Sequence, residues 1–278
     1  MADRFFELSA PDRQEALELA AARCGQPPHL LEKDVWVVWL LSALFQSPFA
    51  TALTFKGGTS LSKVYRVIDR FSEDIDLTYD IRELMPGLVK REAAIPPTNS
   101  QAQKWTKTIR ERLPIRIDGV VAPLIRGALD RDNIRATVNR DAANPDRLLV
   151  DYDPLTRGTG YVGPRVALDF GARSTGEPHA IHRITCEMAE HVPSVIFPDA
   201  SPQVLDIART FWEKATAAHV YCLQTKNRGE RYSRQWHDLV ANSGSPFQSI
   251  AARFIQARTL VPVRPGSRAN TTGLLPLV

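Results

Sequence analysis

Between residues 55 and 78 the chain reads FKGGTSLSKVYRVIDRFSEDIDLT, and no other stretch restricts its fold so tightly. The run 51–55 predicts a strand, or the approach to one, that stops at Lys56. Gly57 and Gly58 follow at once; with no Cβ, the backbone there can come close to a phosphate. Thr59 and Ser60 then open a predicted helix over 61–68, whose unpaired N–H groups and positive dipole end face the same place. Further on, Asp74, Ile75, Asp76 and Leu77 alternate polar and apolar, so a strand there projects both carboxylates from one face while Ile75 and Leu77 enter the core. Two carboxylates on one face can hold Mg2+ or Mn2+, hard cations that take oxygen ligands and share them with substrate phosphates. Asp74 and Asp76 are therefore candidate metal ligands, and Lys56, Gly57, Gly58, Thr59 and Ser60 are candidate contacts to a nucleotide. The glycine segment is not a P-loop, because no Gly-Lys-Ser/Thr closes it.

A glycine pair alone is an ordinary turn, and an Asp-x-Asp alone is an ordinary exposed strand. Their succession within one strand–helix–strand unit resembles the polymerase β-like nucleotidyltransferases. The words KGGTSLSK and RFSEDIDL are similar to those of the AbiEii/AbiGii-type, MenT-like nucleotidyltransferase toxins. Residues 209–216 (RTFWEKAT) and 231–239 (RYSRQWHDL) resemble that family's later motifs, so the likeness covers roughly residues 31–240. It implies an α+β fold: a polymerase β-like core with a mixed sheet and flanking helices, followed by a C-terminal helical domain. It also implies metal-dependent transfer of a nucleoside monophosphate from an NTP to an RNA acceptor, in several members the 3′ end of tRNA, and control by a cognate antitoxin.

The resemblance also gives roles to residues that are bland on their own. Lys214 lies off the apolar stripe of a predicted helix, where a lysine is ordinarily just solvated; its place in the FWEK segment implies contact with the triphosphate, where an ammonium offsets charge on departing pyrophosphate. Arg231, Arg234 and Asp238 recur at i, i+3 and i+7 and share a helical face, a pattern that an intrahelical ion pair would also produce. The resemblance implies that Asp238 positions Lys214 or the acceptor and that the two arginines meet phosphates.

Hydrophobic periodicity predicts helices over 11–22 and from 28 onward, the second apolar nearly all round. Residues 84–103 read as an exposed, mobile loop, and 104–129 as a helix broken or kinked near Pro114 and Pro123. A meander of three strands follows, over 134–138, 148–152 and 165–170. On the third strand Asp169 sits between Leu168 and Phe170 and is the candidate third metal ligand and catalytic carboxylate; its rival Asp151 reads as part of a turn. Helices over 209–223, capped by Asp206 or its loop, and over 231–242 form the last third. These readings divide the chain into a nucleotidyltransferase domain, 1–200, and a helical domain, 201–278. After residue 250 the sequence departs from the family pattern, which points to a truncated or rebuilt C-terminal part.

The chain has 278 residues and a formal charge of +4, with a pI near 9.0, which allows a nucleic-acid partner without requiring one. Three basic runs could line an RNA track: Lys104, Lys107, Arg110, Arg112 and Arg116; Arg126, Arg131, Arg135 and Arg140; and Lys226, Arg228, Arg231 and Arg234. Cys24, Cys186 and Cys222 are scattered and read as reduced buried thiols. The apolar run 35–45 is too short to span a bilayer, and the charged first residues read as no signal peptide, so the expected location is the cytoplasm, with no membrane partner. Nucleotidylation of a small molecule or of a protein, or nucleotide binding without catalysis, remain open alternatives to RNA modification.

Overall fold

Local sequence starts and stops the N-terminal helices. The computed structural model describes residues 2–72, 74–89, 94–156, 158, 163–222 and 238–239. After a short strand β1 (Asp3–Arg4), helix α1 (Ala10–Cys24) begins where Ser9 Oγ accepts from the Asp12 amide, and it ends at Gly25 in the left-handed region, φ 75°. Helix α2 (Pro28–Phe45) again carries a proline in its first turn. Its Leu31, Val35, Val37, Val38, Leu40, Leu41 and Leu44 are all fully buried, so the run read as a central support is one. It packs against α1 and, through its other faces, against elements of the sheet layer introduced below.

A 3-10 turn (Ala50–Ala52) leads into β2 (Leu53–Lys56), which passes into α3 (Gly57–Lys63) with no intervening loop. The helix expected over 61–68 therefore starts four residues earlier, because Gly57 takes φ 81°, and stops earlier, because Arg66 turns left-handed at φ 51° after Val64 and Tyr65 both donate to Ser60 O. Next come β3 (Ile75–Tyr79) and α4 (Ile81–Leu84). Residues 84–103 are not one exposed loop: Met85 and Val89 are buried, and α5 (Asn99–Arg116) is already capped by Thr98. The expected break lies between the two prolines, in a π turn (Ile117–Val121), after which α6 (Ala122–Arg131) resumes. Pro114 sits inside α5, and Pro123 in the first turn of α6.

The meander appears as β4 (Ala136–Arg140), β5 (Arg147–Tyr152) and β6 (Arg165–Gly171). Ile134 is not in β4, because its amide closes the end of α6 on Leu129 O. Asp151 lies in strand β5, not in a turn; the meander register pairs it with Arg165, whose guanidinium it accepts from at 2.8 Å. Short strands β7 (His179–Ile181), β8 (Ile184–Thr185), β9 (Val195–Ile196), β10 (Asp199–Ala200) and β11 (Gln203–Leu205) follow, then α7 (Ile207–Cys222). Asp206 caps α7, accepting from the Ala208 amide at 2.8 Å.

Seven strands form one mixed sheet in the order β4-β5-β6-β3-β2-β11-β7, parallel at β6/β3 and β2/β11 and antiparallel elsewhere. With helices against it, the fold is α+β, as expected. The sheet continues through β11, past residue 200, where the C-terminal part is expected to begin. The second C-terminal helix is outside the described residues except for the helical residues 238–239, and the tail beyond is outside them too. Among the described residues no helix is long and apolar enough to cross a membrane. Cys186 is buried and Cys24 half-buried, both as free thiols; the Cys222 side chain is outside the described set.

Candidate active site

Strand register sets the site. Lys56 on β2 is the Cα partner of Asp76 on β3, Asp76 is the partner of Asp169 on β6, and Asp169 is the partner of Arg147 on β5. Register partners project to the same face. Four neighbouring strands thus present a row of charges, plus, minus, minus, plus, across one side of the sheet. Asp74 immediately precedes β3, and its charge acts on both Asp76 and Arg147.

The glycine pair serves this row. A Cβ on Gly57 would overlap the Asp76 carboxylate, and one on Gly58 would come within 2.7 Å of Ser72 Oγ and 2.8 Å of Arg70 Nη2. The space that the missing side chains leave is taken by the chain's own Asp76, Ser72 and Arg70. Thr59 and Ser60 are buried, and their hydroxyls are already committed, Thr59 to Asp74 O at 2.5 Å and Ser60 to Gly57 O at 2.9 Å. What the segment can still offer a phosphate is backbone N–H of the first turn of α3.

The C-terminal motif residues reach the same place. Asp238 is fully buried; Arg70 grips it with two hydrogen bonds of 2.7 Å, and Lys214 lies 2.9 Å from its Oδ2. Burial alone would raise the Asp238 pKa, but the Arg70 hydrogen bonds and the Lys214 charge outweigh it, so the carboxyl is held below its ordinary value. From the same helix as Lys214, Glu213 takes Lys56 at 2.9 Å and Arg209 at 3.5 Å. Among the described residues Asp76 makes no ion pair or hydrogen bond of its own. Burial, then the charge of Asp169, push its pKa from 3.8 up to about 6; Lys56 and Lys214 pull it down, and Asp74 adds to the rise.

The structure therefore brings together Lys56, Gly57, Gly58, Asp74, Asp76, Asp169, Lys214 and Asp238. Arg231 and Arg234 are outside the described residues. Sequence reasoning missed Arg70, Glu213 and Arg147. Arg70 opens the RFSEDIDL word and Glu213 stands beside Lys214, so both had a signal; Arg147 had none, since only strand register brings it to Asp169.

Asp76, which makes no ion pair among the described residues, suits a hard cation, and Asp74, two residues before it, can share one with it. A three-carboxylate site is not assembled, however: Asp169 is spanned by Arg147 at 2.7 and 2.9 Å, and among the described residues no group of three or more His, Cys, Asp or Glu side chains is arranged to hold a metal. Two carboxylates completed by phosphate oxygens is the arrangement these residues fit.

Part of the first two basic runs is tied to the fold. Arg116 donates to Tyr79 Oη and lies over the Phe49 and Tyr79 rings, Arg126 donates to Val138 O, Arg131 pairs with Asp132 and Arg140 with Asp118. The third run is outside the described residues.

No curated protein matches the chain. A solved structure that it is similar to is MenT4, a nucleotidyltransferase toxin from Mycobacterium tuberculosis H37Rv, at 18% identity and a TM-score of 0.41; the match covers 76% of this chain and 59% of that one. The chain thus spans less than two thirds of that protein's length. The sequence profile of the nucleotidyl transferase AbiEii toxin, type IV toxin–antitoxin system, matches residues 39–261 of the 278, and the chain belongs to that family.

Proposed function

We propose that this chain is a cytoplasmic nucleotidyltransferase toxin that moves a nucleoside monophosphate from an NTP to an RNA acceptor, the 3′ end of tRNA, and is restrained by a cognate antitoxin. One observation carries the catalytic reading: Asp76, a carboxylate that makes no ion pair among the described residues, lies within the charge influence of two lysines, Lys56 on strand β2, its register partner, and Lys214 on helix α7. A triphosphate needs both signs of charge nearby, cations for its oxygens and carboxylates to hold a metal.

Asp74 and Asp76 would hold Mg2+ or Mn2+, which when bound neutralises phosphate charge and polarises the phosphorus under attack. An acceptor hydroxyl oxygen attacks the α-phosphorus and the bond to the bridging oxygen breaks. Pyrophosphate leaves with the electron pair, and the hydroxyl proton passes to solvent. Lys214 and Lys56 supply positive charge for the departing pyrophosphate, and Asp238 and Glu213 fix their ammonium groups in place beforehand. Backbone N–H groups at Gly57, Gly58, Thr59 and Ser60 meet phosphate oxygens, as do Arg231 and Arg234 on the reading taken from the family motif.

Incubation with each labelled NTP, Mg2+ and total RNA tests this reading; label in small RNA is the expected outcome. The commitment of Arg116 and Arg126 to internal partners favours one second reading, a small-molecule acceptor. Label in a small molecule or in protein would replace the RNA acceptor, and no transfer from any NTP would leave a binding protein.

A further inference from the structure

The row of charges across the sheet is not symmetric. At one end Lys56 faces Asp76 in register but gives its hydrogen bond to Glu213, at 2.9 Å. At the other, Arg147 faces Asp169 in register and binds it side-on, Nε to Oδ1 at 2.7 Å and Nη2 to Oδ2 at 2.9 Å. Asn144 Nδ2 adds a long contact to Oδ1 at 3.5 Å. A two-point guanidinium–carboxylate pair is the most directional ion pair a protein makes, and it occupies both oxygens of the acid. Asp169 is therefore directly paired within the fold, whereas Asp76, on the neighbouring strand, makes no ion pair among the described residues. Carboxylates directly opposite each other on adjacent strands repel, and each needs a cation. The protein supplies one for Asp169 and leaves the other to come from outside.

We propose that Arg147 is a positioning residue of this site: it takes the place of a second metal ion at Asp169, so that the site holds a single divalent cation, at Asp74 and Asp76. This rests on the nucleotidyltransferase reading above and sharpens it. A divalent ion shared between Asp76 and Asp169 would have to lie beside the guanidinium charge and use only the lone pairs that Arg147 leaves on Asp169. Arg147 Nη1 also pairs with Asp141 at 3.5 Å, which holds the guanidinium from its far side while Nε and Nη2 stay on Asp169. Arg147 thus aligns Asp169 for the acceptor side of the reaction by geometry and charge, not by sharing a metal.

The test titrates Mn2+ alone into the full chain and counts bound ions by electron paramagnetic resonance. Wild type binds one Mn2+ per chain. Arg147→Gln exposes the Asp169 carboxylate and admits a second ion; Arg147→Lys keeps a cation there and stays at one. The charge-neutral double variant Arg147→Gln/Asp169→Asn returns to one ion at wild-type affinity, whereas loss of affinity by about tenfold or more, the usual size of a ligand-set defect, would mean that Asp169 is itself a ligand and would overturn the proposal. Two ions in wild type, or one in Arg147→Gln, would also overturn it. If Arg147→Gln does not fold, judged by its circular dichroism and melting, the double variant decides. Asp76→Asn separates the two readings: Mn2+ binding that it does not weaken would overturn the metal site itself, and this inference with it.

Discussion

Replacing Asp76 by Asn should make the metal-free protein more stable at neutral pH. Burial and the Asp169 and Asp74 charges raise the Asp76 pKa from 3.8 to about 6, even with Lys56 and Lys214 pulling the other way. Between those values the folded chain keeps a proton that the unfolded chain has released. Stability therefore falls as pH rises from about 4 to about 6, and the deficit persists above. A gap of about two units corresponds to about 3 kcal/mol. Asn has nearly the same shape and carries no charge, so it removes the deficit with little change in packing. For a chain of this size that is a rise in melting temperature of about 6–12 °C at pH 7.5 in chelated buffer. At pH 4.5, where the wild-type carboxyl is mostly protonated in the fold, the gain shrinks to about a third. Mg2+ should narrow the difference at pH 7.5 by stabilising wild type alone. A variant that melts below wild type at pH 7.5, or that gains equally at both pH values, refutes the reasoning, because either result means that ionised Asp76 is already satisfied by the fold.

Gly57→Ala puts a methyl group into the Asp76 carboxylate and forces an L-residue to φ 81°, so it should cost about 1–3 kcal/mol from the backbone alone; an unchanged urea midpoint would contradict the packing. Asp238→Asn leaves Arg70 and Lys214 around a buried neutral group, and a loss of about 3–5 kcal/mol is expected in chemical denaturation, with turnover lost alongside. Lys214→Ala should lower turnover by about 10²–10³-fold, with Lys214→Arg only partly rescuing because a planar fork fits differently; near-wild-type turnover and NTP affinity would confine the site to the sheet. Expression without an antitoxin should slow bacterial growth and Asp76→Ala should abolish the effect, so equal growth of the two strains at matched protein levels would remove the toxin reading.

Residues with a strong period or a fixed backbone demand were legible in the sequence. The all-round apolar face of α2, the proline starts of α1 and α2, the Asp206 cap and the three meander strands all follow from local chemistry. Asp76 was legible too, because alternation with Ile75 and Leu77 decides its face. What stayed hidden depends on partners far away in the chain. The start of α3 at Gly57 depends on a carboxylate about twenty residues on filling the space beside it; the reading of the glycines as a phosphate cradle overlooked that the chain's own side chains could take that space. Arg147 reads as one more surface arginine until strand register sets it opposite Asp169. The internal contacts of Arg116 and Arg126 were hidden for the same reason, since a count of arginines carries no information about which carbonyls and rings they will meet.

Arg70 and Asp238 are 168 positions apart, yet they share a two-point contact at the edge of the site. A ribosome making this chain therefore completes nearly all of the sheet long before Asp238 emerges. Until then Arg70 and Lys214 lack their common anchor, and any fragment cut or terminated between the two positions lacks it permanently. On the toxin reading proposed above, a partner that meets the growing chain before Asp238 is made meets a site without that anchor.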